Sequence, residues 1–434
     1  MRNPYVTGVY VTGHRHYGRR QMLDYLLHGE DHAYWVIGNR RMGKTSLLRQ
    51  LELLAQSEPH WLPIYWDMQG CDTFARLGQY LRDAIGEQKE RFEALELPLS
   101  LLDEEDVPTL LASLRRAAYR KGLTLFLLCD ETEALIKLAR TEPEAMQRLH
   151  RELTAGAGLR VVATSTRAIY QMHDICHDWP TSPFLTGFDM SQTLSSLSPP
   201  SAHALITQAQ APADERVQAA PEVIQAICDY TNNHPYLLQL LCSRLFQPEG
   251  WLRPVTDEDL EVDPLLAGFF RNDFNSLTEA DRQVIWAVHQ ANIIAESDLH
   301  QIVGGSRAEF YQRVHNLERL GHLRRVHSQG VPGLLAIGNQ FLVNWLSAED
   351  ATLRAAPAAA TSEQAARVAV ERQHAQELNF LVSRLNARRE RLVELEAIRA
   401  RDFLAVSPHV LTEIEEVQTD IRRLRHLLDE IRQV

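Results

Sequence analysis

Cysteine is scarce in this chain. Only five of its 434 residues are cysteines. The number is odd, and their wide spacing matches neither a disulfide framework nor the paired ligands of a zinc site. We therefore expect reduced thiols and a cytoplasmic location. The cysteines are Cys71, Cys129, Cys176, Cys228 and Cys242.

Long apolar runs are also lacking. No apolar stretch approaches the ~20 residues of a membrane-spanning helix, and the N-terminal residues lack the apolar centre of a secretory signal. We expect no membrane association. Because 45% of the residues are nevertheless hydrophobic, the chain has enough apolar surface for a substantial core, and its length favours several domains.

Positive charge is in short supply as well. Lys and Arg number 45 against 57 Asp and Glu, which gives a formal net charge of −12. Binding of nucleic acid over the whole chain is therefore unfavourable, because such binding needs clustered positive charge. A local basic surface stays compatible with this composition.

The chain does contain a phosphate-binding loop. Gly38, Gly43, Lys44 and Thr45 match the Walker A pattern G-x-x-x-x-G-K-[ST], between an apolar segment that predicts a buried strand and an amphipathic helical pattern. In such loops the backbone N–H groups surround phosphate, the lysine contacts the β- and γ-phosphates, and the hydroxyl ligates Mg²⁺. The residues predicted to bind ATP or ADP here are Gly38, Asn39, Arg40, Arg41, Met42, Gly43, Lys44, Thr45 and Ser46.

An acidic element of the Walker B type follows later in the chain. The apolar residues 123–129 predict a buried strand that ends at Asp130 and Glu131, and ligands bind at this end of the strands in parallel sheets. Asp130 is predicted to hold Mg²⁺ through water, and Glu131 to polarise the attacking water as a catalytic residue together with Lys44. Glu133 is expected at the surface, without a role.

A third predicted strand, residues 159–167, ends in polar residues. In ATPases with an extra strand between the phosphate-loop strand and the acidic strand, a polar residue at this position contacts the γ-phosphate. Thr164 and Ser165 are both candidates. Arg167 is a further candidate for catalysis, steadying phosphate in its own or a neighbouring subunit; a surface position at the start of a helix is equally open.

Taken together, these segments resemble STAND-type and related AAA+ ATPases. In that family an aromatic-Gly-Arg box precedes the phosphate loop, and Tyr17, Gly18 and Arg19 match it. His234 and Pro235 match the Gly-x-Pro motif of the family's lid helix, although Asn233 stands in the place of glycine. The resemblance implies that Tyr17, Gly18, Arg19 and Pro235 contact a nucleotide enclosed by a P-loop domain, a helical lid and a winged helix. It also implies that hydrolysis is slow and regulatory.

The predicted fold is α/β, with an ASCE/AAA+-like P-loop NTPase parallel sheet over residues 1–195. A helical lid (196–270) and a winged helix (271–350) follow, the latter with a β-hairpin around Gly330 and Gly333. Small residues predict a linker at 351–366. Apolar residues in alternating steps of four and three predict an antiparallel coiled-coil hairpin at 367–434.

The winged helix leaves two roles open. Its arginines could contact a DNA backbone, but the sequence shows no obvious aromatic or amide cluster for reading bases and many acidic neighbours. We therefore favour packing of the winged helix on the nucleotide. The arginines are Arg307, Arg313, Arg319, Arg324 and Arg325.

Three functional hypotheses follow. The first is a STAND-like switch that binds and hydrolyses ATP with Mg²⁺, forms a homo-oligomer and engages a protein partner through its C-terminal helices, in signalling or anti-phage defence. The alternative is a DNA-acting AAA+ ATPase, similar to initiators or transposition ATPases. The third is a nucleotide-gated scaffold without significant hydrolysis.

Overall fold

The computed structural model describes residues 1–94, 96, 106–177, 179, 187–188, 192–328 and 331–355, together with 417, 418 and 421. Residues Met1–Glu349 form one compact unit and Asp350–Val434 a second. Apart from residues 417, 418 and 421, the predicted coiled-coil hairpin lies outside the described residues. No helix within these ranges is both long enough and apolar enough to cross a membrane.

A parallel sheet forms the centre of the N-terminal part. In the described residues its strands lie in the order β2-β3-β4-β1-β5, and all of its pairings are parallel. As predicted, β4 lies between the acidic strand β3 and the phosphate-loop strand β1. The strands are β1 (Ala33–Ile37), β2 (Trp61–Asp67), β3 (Thr124–Asp130), β4 (Leu159–Ser165) and β5 (Gln192–Thr193).

Helices cover both faces of this sheet, as expected for parallel strands. Because successive side chains of a strand point to opposite faces, Trp35 packs in one core with Leu77 and Leu110, whereas Val36 packs in the other with Leu26 and Leu47. The helices are α1 (Arg20–His28), α2 (Lys44–Gln56), α3 (Phe74–Gly86), α4 (Lys89–Ala94), α5 (Val107–Arg120), α6 (Ala134–Thr141), α7 (Pro143–Leu153) and α8 (Gln171–Ile175).

The segment predicted as a lid is mainly helical. Each of its four helices has proline in the first turn, where the missing N–H costs no hydrogen bond. The last of these helices runs across the lid boundary predicted at residue 270. The elements are α9 (Pro199–Ile206), α10 (Pro221–Thr231), α11 (Pro235–Leu245), β6 (Phe246–Gln247), β7 (Trp251–Leu252) and α12 (Pro264–Asn275).

The segment predicted as a winged helix, for which we keep that name, contains four helices and a small three-stranded sheet within the described residues. Its strands lie in the order β8-β10-β9. Gly333, predicted in the hairpin turn, lies instead in β10, where the pairing register shifts between Val331 and Leu334; Gly330 is outside the described residues. The elements are α13 (Glu279–Ala291), β8 (Ile293–Ala295), α14 (Glu296–Val303), α15 (Arg307–Arg319), β9 (Leu323–Ser328), β10 (Val331–Ile337) and α16 (Gln340–Ala355), the last of which runs into the predicted linker.

One apolar core joins the lid to the winged helix. Leu237 of α11 and Phe270 of α12 belong to the same buried cluster as Phe310 of α15 and Phe341 of α16, and Tyr17 of the N-terminal segment also lies in it. Because separating the two parts would expose this apolar surface to water, we expect the lid and the winged helix to behave as one body.

Candidate functional site

The phosphate loop connects β1 to α2, and both of its glycines are required by its geometry. Gly43 has a φ of +90°, a backbone conformation that glycine adopts without steric cost. A Cβ on Gly38 would lie 3.0 Å from the Cβ of Leu194. Because α2 begins at Lys44, the positive end of its dipole points at the loop. The loop therefore has the form of an anion-binding site.

Lys44 adds a fixed cation to this loop. Its side chain is only 4% exposed, and its ammonium group donates to the backbone carbonyls of Gly38 (3.1 Å) and Asn39 (3.2 Å). The side chain of Met42 is buried beneath the loop. The Ser46 side chain contacts the N-terminal segment, where its hydroxyl accepts from the backbone N–H of Val11 at 3.1 Å.

The carboxylate of Asp130 lies at the centre of the site. The hydroxyls of Thr45 (2.6 Å) and Tyr65 (2.8 Å) donate to its Oδ2. The hydroxyl of Thr164 and the backbone N–H of Glu131 donate to its Oδ1. A carboxylate has about four acceptor positions, and these donors from the described residues use all of them. Asp130 is therefore held rigidly, and it is 1% exposed.

The residues predicted to bind Mg²⁺ are brought together here. The Thr45 hydroxyl and the Asp130 carboxylate are hard oxygen donors beside the phosphate loop, and Asp67, at the end of β2, is paired in register with Asp130. No group of three or more His, Cys, Asp or Glu in the described ranges forms a metal site by itself. The arrangement fits Mg²⁺, which proteins usually hold with one or two carboxylates while phosphate and water oxygens complete its shell.

Glu131 directly follows Asp130 and has an unusual backbone conformation. Its φ is +51°, which a non-glycine residue adopts only at a cost. Burial raises the pKa of its carboxyl to about 7, and the charges of Glu133 and Asp130 act in the same direction, while Lys44 opposes them. A pKa near neutrality suits a general base, as predicted for this residue.

Glu133 is half-buried, contrary to the expectation of a surface position. One of its carboxylate oxygens accepts from the backbone N–H of Thr166. Thr166 directly follows β4, so Glu133 ties the loop after β3 to the loop after β4. The sequence carried no signal for this contact, because both residues lie in loops of irregular structure.

The alternation of β4 separates the two candidates for γ-phosphate contact. Thr164 points to the phosphate-loop face, where its hydroxyl donates to Asp130. Ser165 points to the opposite face, where it accepts from the indole N–H of Trp35 at 2.6 Å. Since neighbouring strand residues face opposite sides, the geometry favours Thr164 and turns Ser165 away from the site.

The aromatic-Gly-Arg box connects the N-terminal segment to the beginning of the lid. Tyr17 is buried in the lid core. Gly18 has a φ of +74°, and a Cβ there would lie 2.9 Å from the Cβ of Ser201. Arg19 donates to the backbone carbonyl of Ser195, and burial lowers the pKa of its guanidinium to about 10. The box thus fixes the lid against the segment that precedes α1.

The lid motif lies at the start of α11. Asn233 has a φ of +56°, a conformation that asparagine tolerates better than most residues, so it can take the place of the glycine in a Gly-x-Pro pattern at little cost. Pro235 is the first residue of the helix, and the His234 side chain caps it by accepting from the backbone N–H of Leu237. Burial lowers the pKa of His234 to about 3, so its ring is neutral at pH 7.

The lid and the winged helix both contact the phosphate loop. The guanidinium of Arg41 lies 4.4 Å from the ring centroid of Tyr236 in α11. The side-chain amide of Asn39 donates to the backbone carbonyl of Leu320 at 2.9 Å and lies 3.0 Å from a ring nitrogen of His322. The turn between α15 and β9 therefore touches a loop that is predicted to bind phosphate.

Asp273 of α12 also faces the phosphate loop. Its carboxylate is 8% exposed, and burial raises its pKa to about 7. The charges of Arg40 and Lys44 and the backbone N–H of Arg40 oppose this rise. The local sequence gave no signal for Asp273.

Tyr65 and Asp67 are further residues of the site that the sequence analysis missed. The rule that identified Asp130 could have found them, because they are polar residues near the end of an apolar strand.

Arg167 points toward the winged helix. Its guanidinium lies 3.9 Å from the carboxylate of Asp281, which also pairs with Arg313 of α15 at 3.3 Å. Asp281 belongs to the capping box of α13. This position links the loop after β4 to two helices of the winged helix.

The predicted DNA-contacting arginines divide into two groups, apart from Arg324, which donates to the backbone carbonyl of Asp229. Arg313 pairs with Asp281, and Arg325 pairs with Glu296 and Glu318, so carboxylates offset both charges. The exposed face of α15 carries a different set, at spacings that place its members on one side of the helix. This set, which we call the α15 face, consists of Arg307, Tyr311, Gln312, His315 and Arg319. The sequence analysis did not single out Tyr311 and Gln312, which the exposed face of α15 places beside Arg307 and Arg319.

Comparison with known proteins establishes the fold. No protein-family model and no curated protein matches the sequence. Among solved structures, a Walker-type ATPase of Pyrococcus abyssi superposes with a TM-score of 0.54 at 14% identity, covering 76% of this chain and 96% of that one. At this identity the likeness shows the fold alone, which is that of a P-loop ATPase, as predicted.

Two further solved structures match with lower TM-scores. Cdc6p of Pyrobaculum aerophilum has a TM-score of 0.36 at 14% identity and covers 76% of this chain and 94% of its own. The ORC2 protein of Aeropyrum pernix has a TM-score of 0.43 at 13% identity, with coverages of 76% and 92%.

Proposed function

We propose that this chain binds ATP with Mg²⁺ and hydrolyses it. The observation that carries the proposal is the position of Asp130, which joins Thr45 of the phosphate loop to Thr164 of β4 beside the half-buried Glu131, whose pKa is raised to about 7. These are the groups that phosphoryl transfer needs: fixed cations, a metal-binding carboxylate and a base near the attacking water.

Each residue has a definite task in this proposal. The backbone N–H groups of the loop and Lys44 bind the β- and γ-phosphates, and Thr45 with Asp130 holds Mg²⁺, which neutralises charge on the phosphates when bound. Glu131 orients the attacking water and accepts its proton. Thr164 is placed to donate to the γ-phosphate. The half-buried Glu131 with its raised pKa favours this hydrolytic function over the nucleotide-gated scaffold.

The resting contacts between the phosphate loop and the winged helix support a switching function. Asn39 contacts the turn after α15, and Arg41 contacts the lid. A conformational change of the phosphate loop on nucleotide exchange would therefore alter its contacts with both the winged helix and the lid. The STAND-like proposal, in which the C-terminal helices drive homo-oligomer assembly and bind a protein partner, depends on residues outside the described ranges.

A second candidate function, ATP-controlled binding of duplex DNA, is favoured by the α15 face. An exposed helix with arginines at both ends and Tyr311, Gln312 and His315 between them has the side chains that contact phosphates and base edges. The α15 face therefore makes DNA the more specific proposal for the output of this ATPase.

The ATPase proposal is tested with purified full-length protein and a fluorescent ATP analogue. Lys44→Ala should abolish nucleotide binding, whereas Glu131→Gln should keep binding and lose at least about a hundredfold in turnover. Undiminished nucleotide affinity in the Lys44→Ala protein would show that the phosphate-loop assignment is wrong.

The DNA proposal is tested in the Glu131→Gln background by fluorescence anisotropy with a labelled duplex, with ATP-Mg and with ADP. The Arg307→Ala/Arg319→Ala protein should bind more weakly, and the slope of log affinity against log salt should fall by about two. The matched control is Arg116→Ala/Arg120→Ala, which removes the same charge from exposed positions of α5. Equal loss in both proteins would indicate only a nonspecific charge effect.

A further inference from the structure

Tyr65 contacts the metal-binding carboxylate from a strand that none of the motifs includes. Its hydroxyl donates to Oδ2 of Asp130 at 2.8 Å. Tyr65 lies opposite Leu128 in the register of β2 and β3, two positions before Asp130. Because residues two apart on a strand share a face, Tyr65 and Asp130 are diagonal neighbours on the phosphate-loop side of the sheet.

The ring of Tyr65 is fixed from its other side by α2. The guanidinium carbon of Arg49 lies 3.4 Å from the ring centroid, within the distance of a cation–π contact, and Arg49 pairs with Glu52 at 2.8 Å. The helix that presents Thr45 to Asp130 therefore also holds the tyrosine that contacts the same oxygen. This arrangement restricts where the Tyr65 hydroxyl can point.

The hydrogen bonds of Asp130 show what this tyrosine does. Oδ2 accepts from Thr45 and Tyr65, which takes up the two acceptor positions of that oxygen. A further donor, such as a water molecule on a bound metal ion, must then bind at Oδ1. There it can displace the Thr164 hydroxyl, which is free to rotate, but it cannot displace the backbone N–H of Glu131, which is fixed. With Tyr65 in place, the carboxylate is oriented and Oδ1 is the oxygen that responds to a ligand.

We propose that Tyr65 is a positioning residue that orients Asp130 for Mg²⁺ and thereby sets the affinity of the nucleotide complex for the metal. This inference rests on the proposed ATP-Mg function and adds a residue to it. Partners that orient a metal ligand from behind typically change metal affinity 10- to 100-fold when they are removed. Tyr65 acts through Asp130 and touches neither the phosphates nor the attacking water.

The test uses Mn²⁺ as a spectroscopic substitute for Mg²⁺, titrated into the full-length ADP complex and followed by electron paramagnetic resonance. Tyr65→Phe keeps the ring and its contact with Arg49 but removes the hydroxyl, and should weaken Mn²⁺ binding about tenfold. ADP affinity measured with a chelator and without divalent ion should stay unchanged. A purely structural role would lower both affinities together.

Control variants separate the possible outcomes. Tyr80→Phe removes a hydroxyl on α3 that bonds Arg76 and should leave Mn²⁺ affinity unchanged. Arg49→Met removes the cation from the ring and should give a smaller loss than Tyr65→Phe. Unchanged or tighter Mn²⁺ binding in Tyr65→Phe would overturn the inference. Failure of the wild-type protein to bind ADP at all would instead overturn the proposed function.

Discussion

The side-chain amide of Asn39 donates to the backbone carbonyl of Leu320 at 2.9 Å, across 281 positions of the chain. Asn39 belongs to the phosphate loop, and Leu320 is the C-cap residue of α15, where the turn to β9 begins. The helix with the exposed α15 face is therefore one hydrogen bond away from the residues that are proposed to bind phosphate. Occupation of the loop and the position of the winged helix should be linked through this contact.

Asn39→Ala should loosen the winged helix without abolishing nucleotide binding. One lost hydrogen bond costs about 1 kcal/mol, so amide hydrogen exchange in α15 and β9 should become faster in the nucleotide-free protein. Mass spectrometry of peptides from residues 307–328 measures this. Gln301→Ala, at an exposed position of α14, is the control, and unchanged exchange in the Asn39 variant would argue against the link.

Substitutions in β4 should separate Thr164 from Ser165. Thr164→Val should reduce ATP turnover about tenfold or more with little change in nucleotide affinity, because an interaction made to the transferring phosphate is lost. Ser165→Ala should leave turnover nearly intact but lower the free energy of unfolding by about 1–3 kcal/mol, since the Trp35 N–H loses its buried acceptor. Steady-state kinetics and denaturant unfolding test both, and the reverse pattern would reassign the two residues.

Asp273 should make the stability of the nucleotide-free protein depend on pH. Its folded-state pKa of about 7 lies above the ordinary value of 3.8, so the folded protein binds this proton more tightly than the unfolded chain. The resulting contribution to the free energy of unfolding is fully present below about pH 4 and is lost as pH rises toward 7. The loss over this range is a few kcal/mol. Arg40, Arg41 and Lys44 face the carboxylate and oppose the shift.

Comparison of the wild type with Asp273→Asn isolates this contribution. Asparagine has no proton to lose, so the difference between the two unfolding free energies should change between about pH 4 and 7 and then level off, with the variant favoured at higher pH. Denaturant unfolding at a series of pH values measures the difference, and other titrating groups cancel. A difference that does not vary with pH would mean that the Asp273 carboxyl has an ordinary pKa.

Arg167→Ala should affect the winged helix more than catalysis. The guanidinium lies 3.9 Å from Asp281, so its loss leaves Arg313 as the arginine that pairs with this carboxylate and should cost about 1 kcal/mol. We expect ATP turnover within about tenfold of wild type, in contrast to Glu131→Gln. Turnover and thermal unfolding should be measured together. A loss above about a hundredfold at normal stability would support the catalytic role predicted from the sequence.

Local patterns in the sequence predicted the phosphate loop and the acidic strand correctly as structural elements. Gly38, Gly43, Lys44 and Thr45 lie within one short stretch, and their spacing itself determines the loop and the start of α2. Asp130 was found because it ends an apolar strand. The position of β4 between β3 and β1 followed from the resemblance to known ATPases.

Tertiary structure alone decided which side chains meet. Strand periodicity shows that Thr164 and Ser165 face opposite sides, but only the packing of α2 on one face shows which side holds the phosphate loop. Three contacts join segments that are distant in the chain, and the local sequence of one segment does not predict its partner. These contacts are Tyr65–Asp130, Asn39–Leu320 and Arg167–Asp281. Helix and strand patterns reflect backbone geometry over a few residues, whereas these contacts depend on how whole apolar faces are buried together, and that is a property of the folded chain.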